Sequence, residues 1–386
     1  MQNKERVLYY DLLNIGASFC VVAMHCNWIV HHFDGSSAWK QSLIVDVLGY
    51  WAVPIFFMLS GATLLEYPKR YSTKEFLKKR FFKTVIPFIV WSNIACIYTI
   101  NSGVIDLKQF SVTTFFDMFL TTKFMGIYWF FIPLFMAYLS MPVLSYLAMN
   151  EQKYLWYMGG LGFVSYSIYP FLCNLFGIKQ NSFLLFPLTS GYILFVILGY
   201  LLSVMEFSKK LRMIIYTVGI ISVIIQYFGT YFLSMYTGYE NVLFKEYLNW
   251  PSVLVAISVF TWFKYRKWSM IKEKRILKVI QECSNTGFGI YLIHMYIINF
   301  ICEKYNINGY SIVWRVGGPV FVYIVSFVLV KFIQKFPVLK KGSMSIVGAG
   351  FPEFRSIAVF GGVFLFAWKK SNLWHGKQTF KHPPCF

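Results

Sequence analysis

The chain has 386 residues, of which 57% are hydrophobic, 21% aromatic and only 13% charged, with a net charge of +20 and a mean hydropathy of +0.55. Apolar windows of ~20 residues, the length that crosses a bilayer, recur along it and argue against a soluble enzyme. The positive charge does not point to nucleic acid, because Lys and Arg concentrate in short loops between apolar runs, where membrane topology accounts for them.

The first run, RVLYYDLLNIGASFCVVAMH from Arg6 to His25, places Asp11, Asn14, Ser18 and His25 on one stripe of an otherwise apolar helix. Ionisable groups at membrane depth are costly unless paired or hydrated, so this stripe reads as functional and demands a polar cavity. Lys4 and Arg6 resemble the flank of a secretory signal, but the run is long and lacks a small-residue cleavage site, so it reads as a retained first span. Apolar windows then predict spans near 12–30, 43–65, 84–104, 127–148, 154–176, 183–203, 213–236, 250–265, 287–302 and 316–334. The expected fold is an all-α polytopic membrane protein of about ten helices. With the N-terminus in the cytoplasm, inner segments carry more than three times as many Lys and Arg as outer loops, which supports that orientation.

Two inner loops are the most basic, Glu66 to Lys83 and Lys264 to Lys278. Topology and contact with anionic lipid account for most of these charges. Arg80 and Lys83 also stand at the expected start of the third span, where a helix N-terminus with two cations favours phosphate. Residues 1–341 read as one membrane domain, and 342–386 as an atypical tail with room for one further apolar segment. The seven cysteines follow no CxxC or Cys/His spacing, so neither a disulfide frame nor a metal site is expected.

Depth follows from helical rise. His25 lies ~21 Å beyond Asp11, in the outer half. Asp46, near the start of the descending second span, is also outer and placed to orient His25 or raise its basicity. Ser60 in PIFFMLSG falls near the inner face. Tyr128 and Trp129 reach the level of His25, where an interfacial aromatic belt accounts for them equally well. His294 in GFGIYLIHMY is expected near mid-depth, where a helix-packing histidine is an equally good reading. Cations inside and a histidine farther out suit a reaction that takes an anionic donor from the cytoplasm and delivers a small group outside. The histidine serves either as general base on a hydroxyl or as acyl carrier.

RVLYYDLLNIGASFCVVAMH, PIFFMLSG, FLKKRFFKTVIPFIVW, YWFFIPLFMAYLSMPVL and GFGIYLIH stand in the order of the membrane acyltransferase 3 family, and the chain resembles that family from Arg6 to roughly Leu339. The resemblance implies transfer of an acyl group, usually acetyl, from acyl-CoA to a hydroxyl of a surface glycan or glycolipid. By position, His25 resembles the family's essential histidine, Arg6 and Asp11 its first-helix partners, and Arg80 and Lys83 its basic pair. Asn14 stands where many members have Arg, Lys83 replaces a frequent Arg, and the tail after Lys341 matches no family segment.

The sequence therefore predicts an O-acetyltransferase of the bacterial cytoplasmic membrane with acetyl-CoA as donor substrate, a polysaccharide or lipid-linked glycan as acceptor, and no bound cofactor. Membrane lipids are its surroundings, and nucleic acid is not a partner. Its expected catalytic residues are His25, Asp11 and Asp46, with Arg6, Arg80 and Lys83 on the donor. Asn14, Ser18, Ser60, Tyr128, Trp129 and His294 are expected to line the cavity. The rival is a polytopic exporter of a glycan or acyl compound. Against it, the sequence shows no paired inverted repeats or matching broken helices.

Overall fold

The computed structural model describes residues 6–105 and 110–335, and every regular element among them is helical. The tail 342–386 set apart in the sequence lies outside the described residues. In chain order the helices are α1 (Leu8–Cys26), α2 (Ser37–Gly49), α3 (Ala52–Leu64), α4 (Thr73–Arg80), α5 (Ile86–Asn101), α6 (Val112–Leu120) and α7 (Phe131–Asn150). There follow α8 (Gln152–Phe163), α9 (Tyr169–Leu175), α10 (Gly191–Val204), α11 (Lys209–Thr237), α12 (Trp250–Tyr265), α13 (Lys274–Tyr305) and α14 (Ile312–Lys335). The predicted span 43–65 covers both α2 and α3, and 154–176 covers α8 and α9, while each of the other predicted spans overlaps a single one of these α-helices. Among the described residues, six helical stretches are long and apolar enough to cross a membrane: Ser37–Lys69, Thr73–Asn101, Gly126–Asn150, Lys209–Thr237, Lys274–Tyr305 and Ile312–Lys335. Helix α1 falls outside that group because Asp11, Asn14 and His25 dilute its apolar character, and α10 because it is short.

Prolines set the irregularities. Two π-helical turns, Phe81–Val85 and Val164–Ile168, each end two residues before a proline, Pro87 and Pro170. A proline offers no N–H to the carbonyl four residues back and its ring crowds that carbonyl, so the helix widens locally. The N–H of Ile86 then reaches Phe81 O, and that of Tyr169 reaches Val164 O, five residues back. A proline also marks the interior of the second predicted span. Pro54 leaves the Tyr50 carbonyl without its usual donor, and the chain turns at Tyr50 and Trp51 between α2 and α3.

Two compact units emerge. The larger comprises the chain up to Thr73 together with Ala137–Val328. There α1 packs against α2, α3, α12 and α13. Helices α3 and α10 approach backbone to backbone through reciprocal glycines. A Cβ on Gly61 would run into the Val196 carbonyl, and one on Gly199 into the Met58 carbonyl. Trp39, fully buried, donates its indole N–H to Val30 O at 2.8 Å and packs with Val30, Leu43 and Val47, fastening α2 to the turn after α1. On α11 and α14 of this unit, Ile220, Ile224, Phe228, Val316, Val320 and Ile324 are exposed, the apolar outer face a lipid-bathed helix needs. The smaller unit holds Lys74–Met136, with Phe88 packed against Phe119, Phe131 and Phe135.

Candidate functional site

The polar stripe of α1 finds its partner in α13. At the start of α1, the Arg6 guanidinium grips Asp11 with two hydrogen bonds of 2.6 and 2.7 Å and donates a third to Asn285 Oδ1 at 3.0 Å. Three residues on, Asn14 Nδ2 donates to Ser284 O at 2.8 Å and to Ser284 Oγ at 3.1 Å. Ser18 Oγ bonds back to Asn14 O at 2.9 Å and lies 3.3 Å from Tyr323 Oη. Gly287 gives Asn14 and Ser18 their room, since a Cβ there would stand 3.3 Å from Asn14 Nδ2. Two turns beyond Gly287 on α13, His294 Nε2 meets His25 Nδ1 at 3.1 Å. The contacts advance together along both helices, so α1 and α13 run parallel.

His294 therefore lies at the level of His25, not at a separate depth. The apolar window 287–302 understates its helix, because α13 starts at Lys274 with charged residues that extend the helix beyond the apolar stretch. At 1.5 Å per residue, His294 stands roughly 30 Å along α13. It is fully buried, while His25 keeps some accessible surface.

The hydrogen bonds assign the tautomers. A carbonyl only accepts, so the 3.0 Å contact between His294 Nδ1 and Ile290 O requires a proton on Nδ1. Neutral His294 then has its lone pair on Nε2, which accepts from His25 Nδ1–H, and the basic lone pair of neutral His25 falls on Nε2. This is the logic of an oriented histidine base, with a neutral imidazole as the orienting group. The end of α1 is fixed just beyond His25. Asn27, fully buried, donates to Ala23 O at 2.9 Å and Arg315 O at 3.1 Å and accepts from Ser42 Oγ at 3.1 Å. Trp314 Nε1 donates to Cys26 O at 3.0 Å. The side chains of Asn27 and of Trp314 on α14 thus satisfy carbonyls that a helix end leaves open, and Ser42 of α2 holds the Asn27 amide in place.

The other expected residues are distributed differently. Asp11 belongs to the Arg6 clamp, ~21 Å from His25 along α1, and Arg6 is already engaged by Asp11 and Asn285. Asp46 gives its carboxylate to Lys245, which reaches it from the loop between α11 and α12. Lys245 is fully buried and also holds Glu240 at 2.5 Å, while Glu240 takes a 2.9 Å contact from His31 Nδ1. Burial works against the Lys245 ammonium, yet the two carboxylates outweigh it and hold its pKa above the ordinary lysine value. Burial likewise opposes the Glu240 carboxylate, but His31 and Lys245 hold its pKa below the ordinary range. Lys245 looks like an ordinary outer-loop charge in the sequence; the available signal is its place between Glu240 and Glu246, opposite the outer-level Asp46.

Ser60 Oγ bonds back to Phe56 O at 2.9 Å within α3. In the smaller unit, Arg80 and Lys83 do not open a helix. Helix α4 starts at Thr73, and the two cations flank the beginning of the π turn that leads into α5. The Arg80 guanidinium lies over Phe76, 5.8 Å from its centroid. The helix-N-terminus argument for phosphate at these residues therefore fails, although their charge and spacing remain. Tyr128 is buried against Phe131 and Trp129 neighbours Phe130, both within this unit.

These features define an all-helical, multi-pass membrane protein with a histidine pair in its interior. The chain matches the family model described as an acyltransferase domain, acyltransferase 3, over residues 7–333, and it belongs to that family. It is an acyltransferase by that membership. No curated protein and no solved structure matched the chain.

Proposed function

We propose that the protein transfers an acetyl or other short acyl group from acyl-CoA on the cytoplasmic side to a hydroxyl of a cell-surface polysaccharide or lipid-linked glycan, in the bacterial cytoplasmic membrane. The observation that carries this reading is the His25–His294 pair in the interior of the larger unit. His25 Nε2 takes the proton of the acceptor hydroxyl as its oxygen attacks the thioester carbonyl. The C–O bond forms, the C–S bond breaks, and the departing thiolate recovers the proton as CoA thiol. His294 stabilises the transient imidazolium by accepting from Nδ1–H. Arg80 and Lys83 supply cations for the phosphates of the donor. The polypeptide crosses the membrane about ten times with its N-terminus inside; the parallel course of α1 and α13, first and ninth in that count, supports this. External labelling of a cysteine placed at position 36 but not at 74 is expected, and the reverse pattern refutes the orientation. Proton NMR of the surface glycan, from cells with and without the protein, tests the activity. O-acetyl signals should depend on it, and identical spectra would overturn the reading.

A further inference from the structure

The loop between α11 and α12 is built with unusual care. Its Lys245 ammonium sits between Asp46 and Glu240 and 5.4 Å over the Tyr50 ring. Ser252 Oγ donates to Lys245 O at 3.1 Å and receives Gln226 Nε2 at 2.7 Å, tying the loop to α11 and α12. Asn241 N–H donates to Ser234 Oγ at 2.9 Å, and Asn249 Nδ2 donates to Leu243 O at 2.5 Å. Burying three charges is a costly way to hold a loop, since packed apolar side chains would hold it at lower cost. What the ion pairs add is a fixed position for the residues that follow Lys245.

Those residues are Glu246 and Tyr247. Tyr247 stacks on Tyr50 with centroids 4.3 Å apart and planes 19° from parallel. Tyr50 stands at the turn between α2 and α3. The Tyr247 phenol lies within electrostatic reach of Tyr192 on α10 and Tyr291 on α13. Tyr291 in turn is 6.0 Å from His294, the partner of His25. Tyr50, Tyr192, Tyr247, Tyr291 and His25 all lie deep in the unit, yet each keeps accessible surface, and Glu246 keeps more. Deep side chains that keep accessible surface are those able to line a recess.

The chemistry of that lining is selective. Tyrosine offers a flat apolar face and a hydroxyl at little cost in side-chain entropy. None of the lining residues carries a fixed positive charge, and the nearby ammonium of Lys245 is already met by two carboxylates. A phosphate-bearing donor would meet carboxylates there without a free cation. A neutral ring with axial C–H faces and many hydroxyls suits it, because ring faces stack on tyrosine while hydroxyls bond to phenols and to a carboxylate.

We propose that Tyr50, Tyr192, Tyr247 and Tyr291, with Glu246, form the acceptor subsite and seat a neutral pyranose ring with one hydroxyl turned toward His25. This rests on the acyl-transfer reading above and adds the residues that choose the acceptor.

The test compares Tyr247→Ala, Tyr247→Phe and Glu246→Ala with the parent in two measurements. One is O-acetyl content of the cell-surface glycan by proton NMR; the other is acetyl-CoA affinity of the full-length purified protein. Glycan acetylation should fall about tenfold or more in both alanine variants, and Tyr247→Phe should keep most of it. Acetyl-CoA affinity should change less than about twofold in all three. Should Tyr247→Ala fail to accumulate in the membrane, Glu246→Ala carries the decision. Unchanged acetylation in Glu246→Ala and Tyr247→Ala overturns the subsite, and so does a parallel loss of acetyl-CoA affinity, which would make the recess a donor site. The acyl-transfer reading fails separately, by parent cells and His25→Ala cells having the same acetyl content.

Discussion

Replacing His294 by Leu tests whether the neighbouring imidazole orients and supports His25. Leucine is near histidine in volume, so packing against α1 should survive. What disappears is the acceptor 3.1 Å from His25 Nδ1. In the ground state that contact selects the tautomer with the lone pair on Nε2. In the transition state it receives a hydrogen bond from an imidazolium, and hydrogen bonds to charged groups contribute about 1.5–3 kcal/mol. At about 1.4 kcal/mol per decade, acyl transfer should slow by roughly tenfold to a hundredfold. Because His294 is argued to act on His25 and not on the donor, KM for acetyl-CoA should be unchanged and the loss should fall on kcat. His294→Gln supplies a carbonyl oxygen that can accept from Nδ1–H, so it should recover much of the rate. The assay is transfer of radiolabelled acetyl from acetyl-CoA to endogenous glycan in membrane vesicles. A His294→Leu rate equal to the parent, or a Gln variant no better than Leu, would refute the orienting role.

Lys245→Met leaves Asp46 and Glu240 facing each other without their cation, and breaking a buried pair in this way costs about 3–5 kcal/mol; thermal unfolding of the purified protein should show a large fall, and a second change, Asp46→Asn, should return part of it. The same network sets two pH limits. The Glu240 carboxyl is held below its ordinary value of about 4.5, so its contribution is present above that pH and is lost as pH falls through the depressed folded value. Lys245 is held above its ordinary 10.5, so its contribution is complete below that pH and is lost as pH rises through the raised folded value. Unfolding temperature should therefore fall as pH drops below about 4.5 and again as it rises above about 10.5, and an unfolding temperature indifferent to pH across both limits would contradict the pairing. Arg80→Gln with Lys83→Gln should lower acetyl-CoA affinity about tenfold or more, against little change for Lys69→Gln with Arg70→Gln; equal losses would reduce the pair to general loop charge.

The positions of the helices were legible because apolar runs of membrane length have no other good explanation. The stripe on α1 was legible too, since helical spacing alone aligns Asp11, Asn14, Ser18 and His25. Its partner was not. Nothing local in GFGIYLIHMY says that His294 faces α1, and the charged beginning of α13 hid the true length of the helix and misplaced His294 in depth. A shared outer level points Asp46 toward His25, whereas a lysine 199 positions away claims it. Contacts of that separation depend on how helices pack, which periodicity does not encode. Apolar character begins just after Arg80, which makes it look like a helix start. The polar residues from Thr73 onward are good helix formers, so the backbone is helical well before the sequence turns apolar.

In the proposed reaction His25 performs the chemistry. The most direct test is the O-acetyl content of the surface glycan, by proton NMR, in cells producing His25→Ala at the parent's level in the membrane. Loss of a positioned base predicts a fall of ~10²-fold or more, with the glycan still made and displayed. Acetylation at the parent's level in that variant would contradict the account.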